Sequence, residues 1–399
     1  MRAHVEVYSH NKIKNTIDFK QELQEKLLLV TLKLTKSLYS ESTSENILFS
    51  PLNMYIVLSL CRFGASGTTR EEISHFLELP SNENLILKIH EDLTNIIKSM
   101  ENTKAADVSL ANGMFVRKLT RLNESFLELT RKYYGNEIFN VHFENGGSTA
   151  TDYINKWIFN KTKGRIVELF KEQLPSDTKI LLASSLYFGT KWIYPFDIYK
   201  TTKETFNKGS EIIDVDMMRN KKQLLYVNNE RKFFESITIP YEGQKFVMHL
   251  ILPYTSQSLE NIIKYFTVDD LRIILKKEDI FSTYVDYKIP RMKFSWSKSI
   301  KKQLKKLGVR KLFENANLNN MVTSADLQVT EITQAAEMEC DENGIIASVA
   351  TALEYEPYSG ITSLIEPVNF FVNRSFLFFI THRETSTLLF VGVVNKPVD

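Results

Sequence analysis

The chain has 399 residues, with 50 Lys and Arg against 48 Asp and Glu, and the resulting +2 makes no general case for nucleic acid or an anionic membrane as partner. Hydrophobic residues make up 43% and charged residues 25%, which supplies an extended core under an ordinary soluble surface. Two cysteines, Cys61 and Cys340, exclude a disulfide framework or a cysteine-rich metal cluster and are expected to be buried thiols.

The N-terminal MRAHVEVYSHNKIKNT lacks the continuous apolar core of a secretory signal, and no run of 18 apolar residues occurs anywhere. Residues 1–18 read as a flexible extension, and one domain is expected over 19–399, undivided by any Gly/Ser linker or low-complexity tract. FKQELQEKLLLVTLKLTKSL places Leu and Val at helical spacing. In ILFSPLNMYIVLSLCRFGASG, Ser50 is a natural N-cap, Pro51 suits the first helical turn and Gly64 falls where a left-handed C-cap is expected. That helix is apolar on nearly every side and should be buried. KILLASSLYF, FVMHLILP and SFLFFI are short apolar runs rich in β-branched and aromatic residues, expected to be buried strands. The C-terminus alternates FLFFI, a polar HRETST turn and LLFVGVV, a hairpin too short in each arm to cross a bilayer. Helices dominate the first third and strands the rest, an α+β distribution.

The motifs of an enzyme are missing. GASG at 64–67 is not the G-x-S-x-G elbow, no phosphate loop occurs, and the seven histidines include no H-x-x-x-H pair. No cofactor and no metal ligand set is expected. Sequons at Asn123, Asn160 and Asn373 do not outweigh the missing signal. SWSKSIKKQLKKLGVRKLF gathers Lys298, Lys301, Lys302, Lys305, Lys306, Arg310 and Lys311 into less than four helical turns, with Leu304, Leu307, Val309 and Leu312 on the apolar side. It reads either as a solvated helix face or as a patch for a polyanion such as a sulfated polysaccharide.

Several separated stretches together resemble the serpins. NILFSPLNMYIVLSL, GASGTTREEI, LANGMFV, YINKWIFNKTKGRI, LYFGTKWIYPFD, VNFFVNRSFLFFI and FVGVVNKP occur in the order and spacing of that family, over about residues 20–399. The resemblance implies a single α+β domain with three β-sheets, eight or nine helices and an exposed reactive-centre loop, about 342–369. It implies a monomeric suicide inhibitor of a serine protease, which acylates the residue before the cleaved bond and is trapped when the loop inserts into the large sheet. The alternative within the family is a non-inhibitory carrier, chaperone or storage protein. Most serpins are extracellular, whereas the N-terminus here is equally compatible with a cytoplasmic or non-classically exported protein.

The stretch DENGIIASVATALEYEPYSG, 341–360, can be tested against insertion without the family name. As a strand it carries Ile345, Ala347, Val349, Thr351 and Leu353 on one face, and Ile346, Ser348, Ala350 and Ala352 on the other. No proline interrupts before Pro357 and no charge before Glu354. The hinge is therefore assigned to Glu342, Gly344, Ile345, Ala347, Val349, Ala350 and Thr351. Counting forward from it puts the reactive bond at Tyr358-Ser359; counting back from SFLFFI puts it near Ile361-Thr362. In the sheet-opening region, Ser184 and Gln334 stand where the family usually has Asn and His. Ser50 and Asn53 supply polar groups beside them, and Trp192 and Arg291 belong to the same region. Arg291 is expected opposite Glu342. The loop has no Lys or Arg from Glu342 to Val372, so the expected partner is a chymotrypsin-like or elastase-like protease.

Overall fold

The structure, a computed structural model, describes residues 19–135, 137–144, 147–209, 211–275, 282–322, 327–345 and 366–398. Those residues form nine α-helices: α1 (Phe19–Tyr39), α2 (Pro51–Gly64), α3 (Gly67–Phe76), α4 (Glu83–Glu101), α5 (Glu124–Tyr134), α6 (Ser148–Lys161), α7 (Leu259–Tyr265), α8 (Val268–Ile274) and α9 (Lys301–Lys306). The strands are β1 (Ile47–Phe49), β2 (Asp107–Arg117), β3 (Glu137–Val141), β4 (Ile180–Lys191), β5 (Thr202–Lys208), β6 (Glu211–Asn229), β7 (Phe234–Pro240) and β8 (Phe246–Pro253). They continue with β9 (Ser282–Pro290), β10 (Met292–Ser299), β11 (Val329–Cys340), β12 (Gly344–Ile345), β13 (Val368–Phe371), β14 (Phe376–His382) and β15 (Thr387–Val394).

Two hydrogen-bonded sheets result. One has six strands in the order β10-β11-β12-β4-β2-β3, and the other nine, β1-β15-β14-β8-β7-β6-β9-β13 with β5 also on β6. Two of the three expected sheets run into each other because β6 is 19 residues long and pairs successively with β5, β9 and β7. The extension 1–18 and most of the loop, 346–365, lie outside the described residues.

Local rules place the central helix. Ser50 Oγ accepts a hydrogen bond from Asn53 N at 3.2 Å, Pro51 opens α2, and every residue of α2 is buried. Gly64 corrects the expectation: it is helical, and the C-cap is Ala65 in extended conformation. What requires glycine is packing, since a Cβ there meets Met321 Cβ at 2.6 Å. The hairpin β14–β15 forms as read, from Phe376↔Val394 to His382↔Thr387. Cys61 and Cys340 are buried free thiols, and burial pushes the Cys61 thiol up to about 12.

The large core lies on one face of the six-stranded sheet, joining β4 and β11 to α2 and the nine-stranded sheet. A smaller cluster on the other face packs α6 (Ile154, Trp157, Ile158) over Phe115, Leu181, Ala183 and Ala335. The line between β4 and β11 runs between these two clusters.

Candidate functional site

β4 and β11 pair in parallel from Ile180↔Val329 to Ser185↔Ala335 and then separate. Past the end of β11 the chain turns through 341–343 and comes back as β12 between them. Gly344 pairs Lys191, while Ile345 pairs both Thr190 and Cys340, antiparallel to each strand. Asp341 makes the turn, its Oδ1 accepting from Asn343 N at 2.8 Å and Gly344 N at 3.2 Å. Gly344 is obligatory: φ is +151°, and a Cβ lies 2.2 Å from Thr190 O.

Glu342 anchors the same turn. Its carboxylate accepts from Arg291 Nε at 2.9 Å, Arg291 Nη2 at 2.6 Å and Thr201 Oγ1 at 2.6 Å, with the Glu342 side chain 7% exposed and Arg291 36%. Burial alone pushes this carboxyl upward, but the hydrogen bonds from Arg291 and Thr201 outweigh it and hold the group below the usual carboxylate range. The same contact raises the Arg291 guanidinium. Trp192 closes the turn from below: its backbone N–H donates to Asn343 O at 2.8 Å, its Nε1–H to Asp341 O at 2.9 Å, and its ring stacks on Tyr241 at 4.5 Å between centroids.

The expected sheet-opening residues thus fall into two groups. Trp192 and Arg291 sit at the upper end with Glu342. Ser50, Asn53, Ser184 and Gln334 meet at mid-length of β4 and β11, at the next-to-last pair of their parallel ladder, all four at 0–1% exposure. Gln334 Oε1 accepts from Ser50 N at 2.7 Å, and its Nε2 donates to Ser50 O at 3.2 Å and Ser184 Oγ at 3.3 Å. Asn53 Nδ2 donates to Ser185 O at 2.7 Å, while Asn53 Oδ1 has no hydrogen-bond partner among the described residues.

Thr201, Asp341 and Tyr241 were missed in the sequence. Asp341 had a signal, because Asp-x-x-Gly is a turn pattern; Thr201 and Tyr241 had none, since each meets the site only through distant pairing. The hinge residues Ala347, Val349, Ala350 and Thr351 and the bond Tyr358-Ser359 lie outside the described residues.

The basic segment is not one helical face. Pairing of Lys298 with Gln334 keeps β10 extended through Ser299, so the helix spans only Lys301–Lys306. Its cations are largely engaged. Lys298 faces Glu45 at 3.5 Å, Lys302 faces Glu41 at 3.1 Å, and Lys305 pairs with Glu314. Lys301 donates to Thr330 O at 2.9 Å and Lys306 to Ser40 Oγ at 3.2 Å.

The chain belongs to the serpin family: the family profile described as serpin (serine protease inhibitor) matches residues 26–397. Among curated proteins it is 30% identical over 359 residues to Iripin-4 of Ixodes ricinus, covering 89% of this chain and 90% of that one. It is 29% identical to leukocyte elastase inhibitor A of Rattus norvegicus, covering 92% and 98%. Among solved structures, human thyroxine-binding globulin complexed with thyroxine superposes with a TM-score of 0.85 at 22% identity, covering 96% of this chain and 100% of that one. Serpin48 of the insect Tenebrio molitor superposes with a TM-score of 0.81 at 25% identity, covering 96% and 99%. The family consists largely of protease inhibitors, and no described helix is long and apolar enough to cross a membrane.

Proposed function

We propose that this chain is a suicide inhibitor of chymotrypsin-like, and secondarily elastase-like, serine proteases, trapping the acyl-enzyme by inserting the cleaved loop between β4 and β11. The observation that carries the reading is β12, whose Gly344 pairs with β4 and whose Ile345 already pairs with both strands, in the antiparallel sense that an inserting loop needs. Continuing that register sets Ala347 opposite Phe188 and Met338, Val349 opposite Leu186 and Ala336, and Thr351 opposite Ser184 and Gln334. The odd-numbered face thereby meets the large core, and Thr351 brings a hydroxyl to the polar group where Asn53 Oδ1 lacks a partner.

The same register explains why insertion is staged. Residues 346–349 enter where β4 and β11 have already parted. Ala350 falls opposite both Ser185 and Ala335, the last pair of the parallel ladder. From there each β4–β11 pairing lost is replaced by two, one to each strand, and each added ladder bond contributes about 0.5–1.5 kcal/mol. Insertion runs downhill once the ladder opens.

Specificity rests on Tyr358, an aromatic ring for an apolar pocket, with small Ser359 and Gly360 after it and no cation in the loop for a trypsin-like pocket. Incubation with chymotrypsin should give an SDS-stable complex and release a fragment beginning Ser-Gly-Ile-Thr. A fragment beginning Thr-Ser-Leu moves the bond to Ile361-Thr362, and cleavage with no covalent complex overturns the reading. Tyr358→Arg should transfer the complex from chymotrypsin-like to trypsin-like enzymes.

One observation favours a second reading, a carrier. A cavity of about 290 Å³ opens between β6, β7, β8 and β14. At its floor His249 lies between Thr238 Oγ1 at 2.9 Å and Thr381 Oγ1 at 3.0 Å, with Arg383 and Gln244 also lining the space. Burial pushes the His249 imidazole down to about 3, so the floor is uncharged. Such a space suits a small amphipathic ligand, and thyroxine-binding globulin shares the fold. Absence of a covalent complex, together with an unfolding midpoint unmoved by loop cleavage, hands the function to this reading.

A further inference from the structure

A cavity of about 610 Å³ forms a groove between the segment that follows α6 and the strands β10 and β11. Five cations line it, Arg165, Lys171, Lys208, Lys298 and Lys396, against three carboxylates, Glu45, Glu168 and Glu337. Part of this charge is spent. Glu45 faces Lys298 at 3.5 Å, Lys208 faces Glu211 at 3.3 Å, and Arg165 reaches Glu339 at 3.0 Å. Lys171 and Lys396 have no ion pair among the described residues. Between the cations lie Ile166, Val167 and the edge of Trp296, and Val167 is 65% exposed. A cleft with a cationic rim and an apolar lining concentrates anions, more so because its walls exclude water.

The groove also has a mechanical position. α6 rests on the β2 and β4 side of the sheet, with Trp157 edge-on to Phe115 at 5.3 Å. Its trailing segment is tied to the other side, through Arg165 to Glu339 on β11 and through Ser297 Oγ on β10 donating to Leu169 O at 3.3 Å. α6 and this segment form a strap across the β4–β11 line. Widening the sheet stretches the strap, and its β10–β11 end, where the groove lies, must give.

We infer that the groove is a regulatory anion site, taking a small organic polyanion whose sulfate or phosphate groups bridge Arg165 and Lys171 on the strap to Lys298 and Lys396 beside β10. A bound anion clips the strap to β10 and slows insertion. An inserting inhibitor that is slowed releases more cleaved loop before trapping. This regulatory half rests on the proposed trap; the binding half does not. The site shares only Lys298 with the basic segment; on α9 itself Lys302 and Lys305 are engaged by Glu41 and Glu314.

Calorimetric titration of the intact protein with sucrose octasulfate in one arm and inositol hexakisphosphate in the other tests binding and separates a sulfated from a phosphorylated source. Binding tighter than about 100 μM at physiological salt is expected for at least one probe. Lys171→Glu with Lys396→Glu should weaken it by at least about tenfold, because two charge-assisted contacts become repulsive. Lys302→Ala with Lys305→Ala should leave it unchanged. No heat with either probe up to about 1 mM, or equal weakening by both pairs of substitutions, overturns the site. With chymotrypsin present, the bound probe should raise the number of inhibitor molecules cleaved per protease trapped by about twofold or more. An unchanged ratio with binding intact overturns the clip, and a protein that never traps chymotrypsin refutes the trap while leaving the titration to decide the site.

Discussion

At the upper end of the β4–β11 seam a carboxylate is gripped by a guanidinium at the edge of solvent; at its middle, four neutral side chains share hydrogen bonds away from water. Glu342 and Arg291 attract each other as charges, so their contact depends on pH and weakens with salt. Ser50, Asn53, Ser184 and Gln334 carry no charge at any ordinary pH, and their cost of separation is the cost of stranding buried donors. The upper clasp can respond to conditions. The lower one sets a constant threshold for opening.

The largest effect should come from burying a charge between the two regions. Ala347→Arg places a guanidinium between Phe188 and Met338, at 2% and 1% exposure, when the loop inserts, a cost of several kcal/mol. The variant should be cleaved by chymotrypsin without forming an SDS-stable complex, and its unfolding midpoint should not rise on cleavage. The parent should gain about 20 °C or more on cleavage; equal midpoints before and after would remove insertion from the account.

Gln334→Leu attacks the middle alone. It strands the buried Ser50 N–H and the Ser184 hydroxyl, so a loss of about 2–4 kcal/mol is expected in urea unfolding. The loss should be the same at pH 5 and pH 8. A marked difference between the two means that the middle clasp is not the neutral one described.

Glu342→Gln attacks the upper end, at about 1–3 kcal/mol near pH 7. The folded carboxyl titrates below its ordinary value of 4.5, so its contribution is fully present above that value and is lost as pH falls through the lower folded pKa. Stability of the parent should therefore drop in that acid window, and the drop should be smaller in Glu342→Gln. Identical acid profiles would separate Glu342 from the pH response.

The smallest effect belongs to exposed ion pairs outside the seam. Lys302→Ala, which removes a side chain 79% exposed beside Glu41, should cost no more than about 0.5 kcal/mol. A larger loss would tie α9 to the seam.

What could be read directly were features written in neighbouring residues. The Ser50 cap, the buried run of α2 and the β14–β15 hairpin all depend on spacing along the chain, which fixes the face each side chain occupies. The same local logic failed at Gly64, where the reason for glycine is Met321, and at Lys298, held extended by Gln334. Neither neighbour is visible from the residues alongside.

By itself the sequence determined the class of fold, the Ser50 cap, the buried strands, and the chemistry available to the loop, because these follow from backbone preference and hydrophobic period. Only the tertiary structure decided that the turn Asp341–Gly344 sits on Trp192, that Thr201 joins Arg291 on Glu342, and that Gln334 spans 284 residues to hold Ser50. Those contacts depend on strand register and on which sheet edges meet. One residue of slip turns every side chain of a strand to its opposite face, so the site exists only once the whole core has chosen the register.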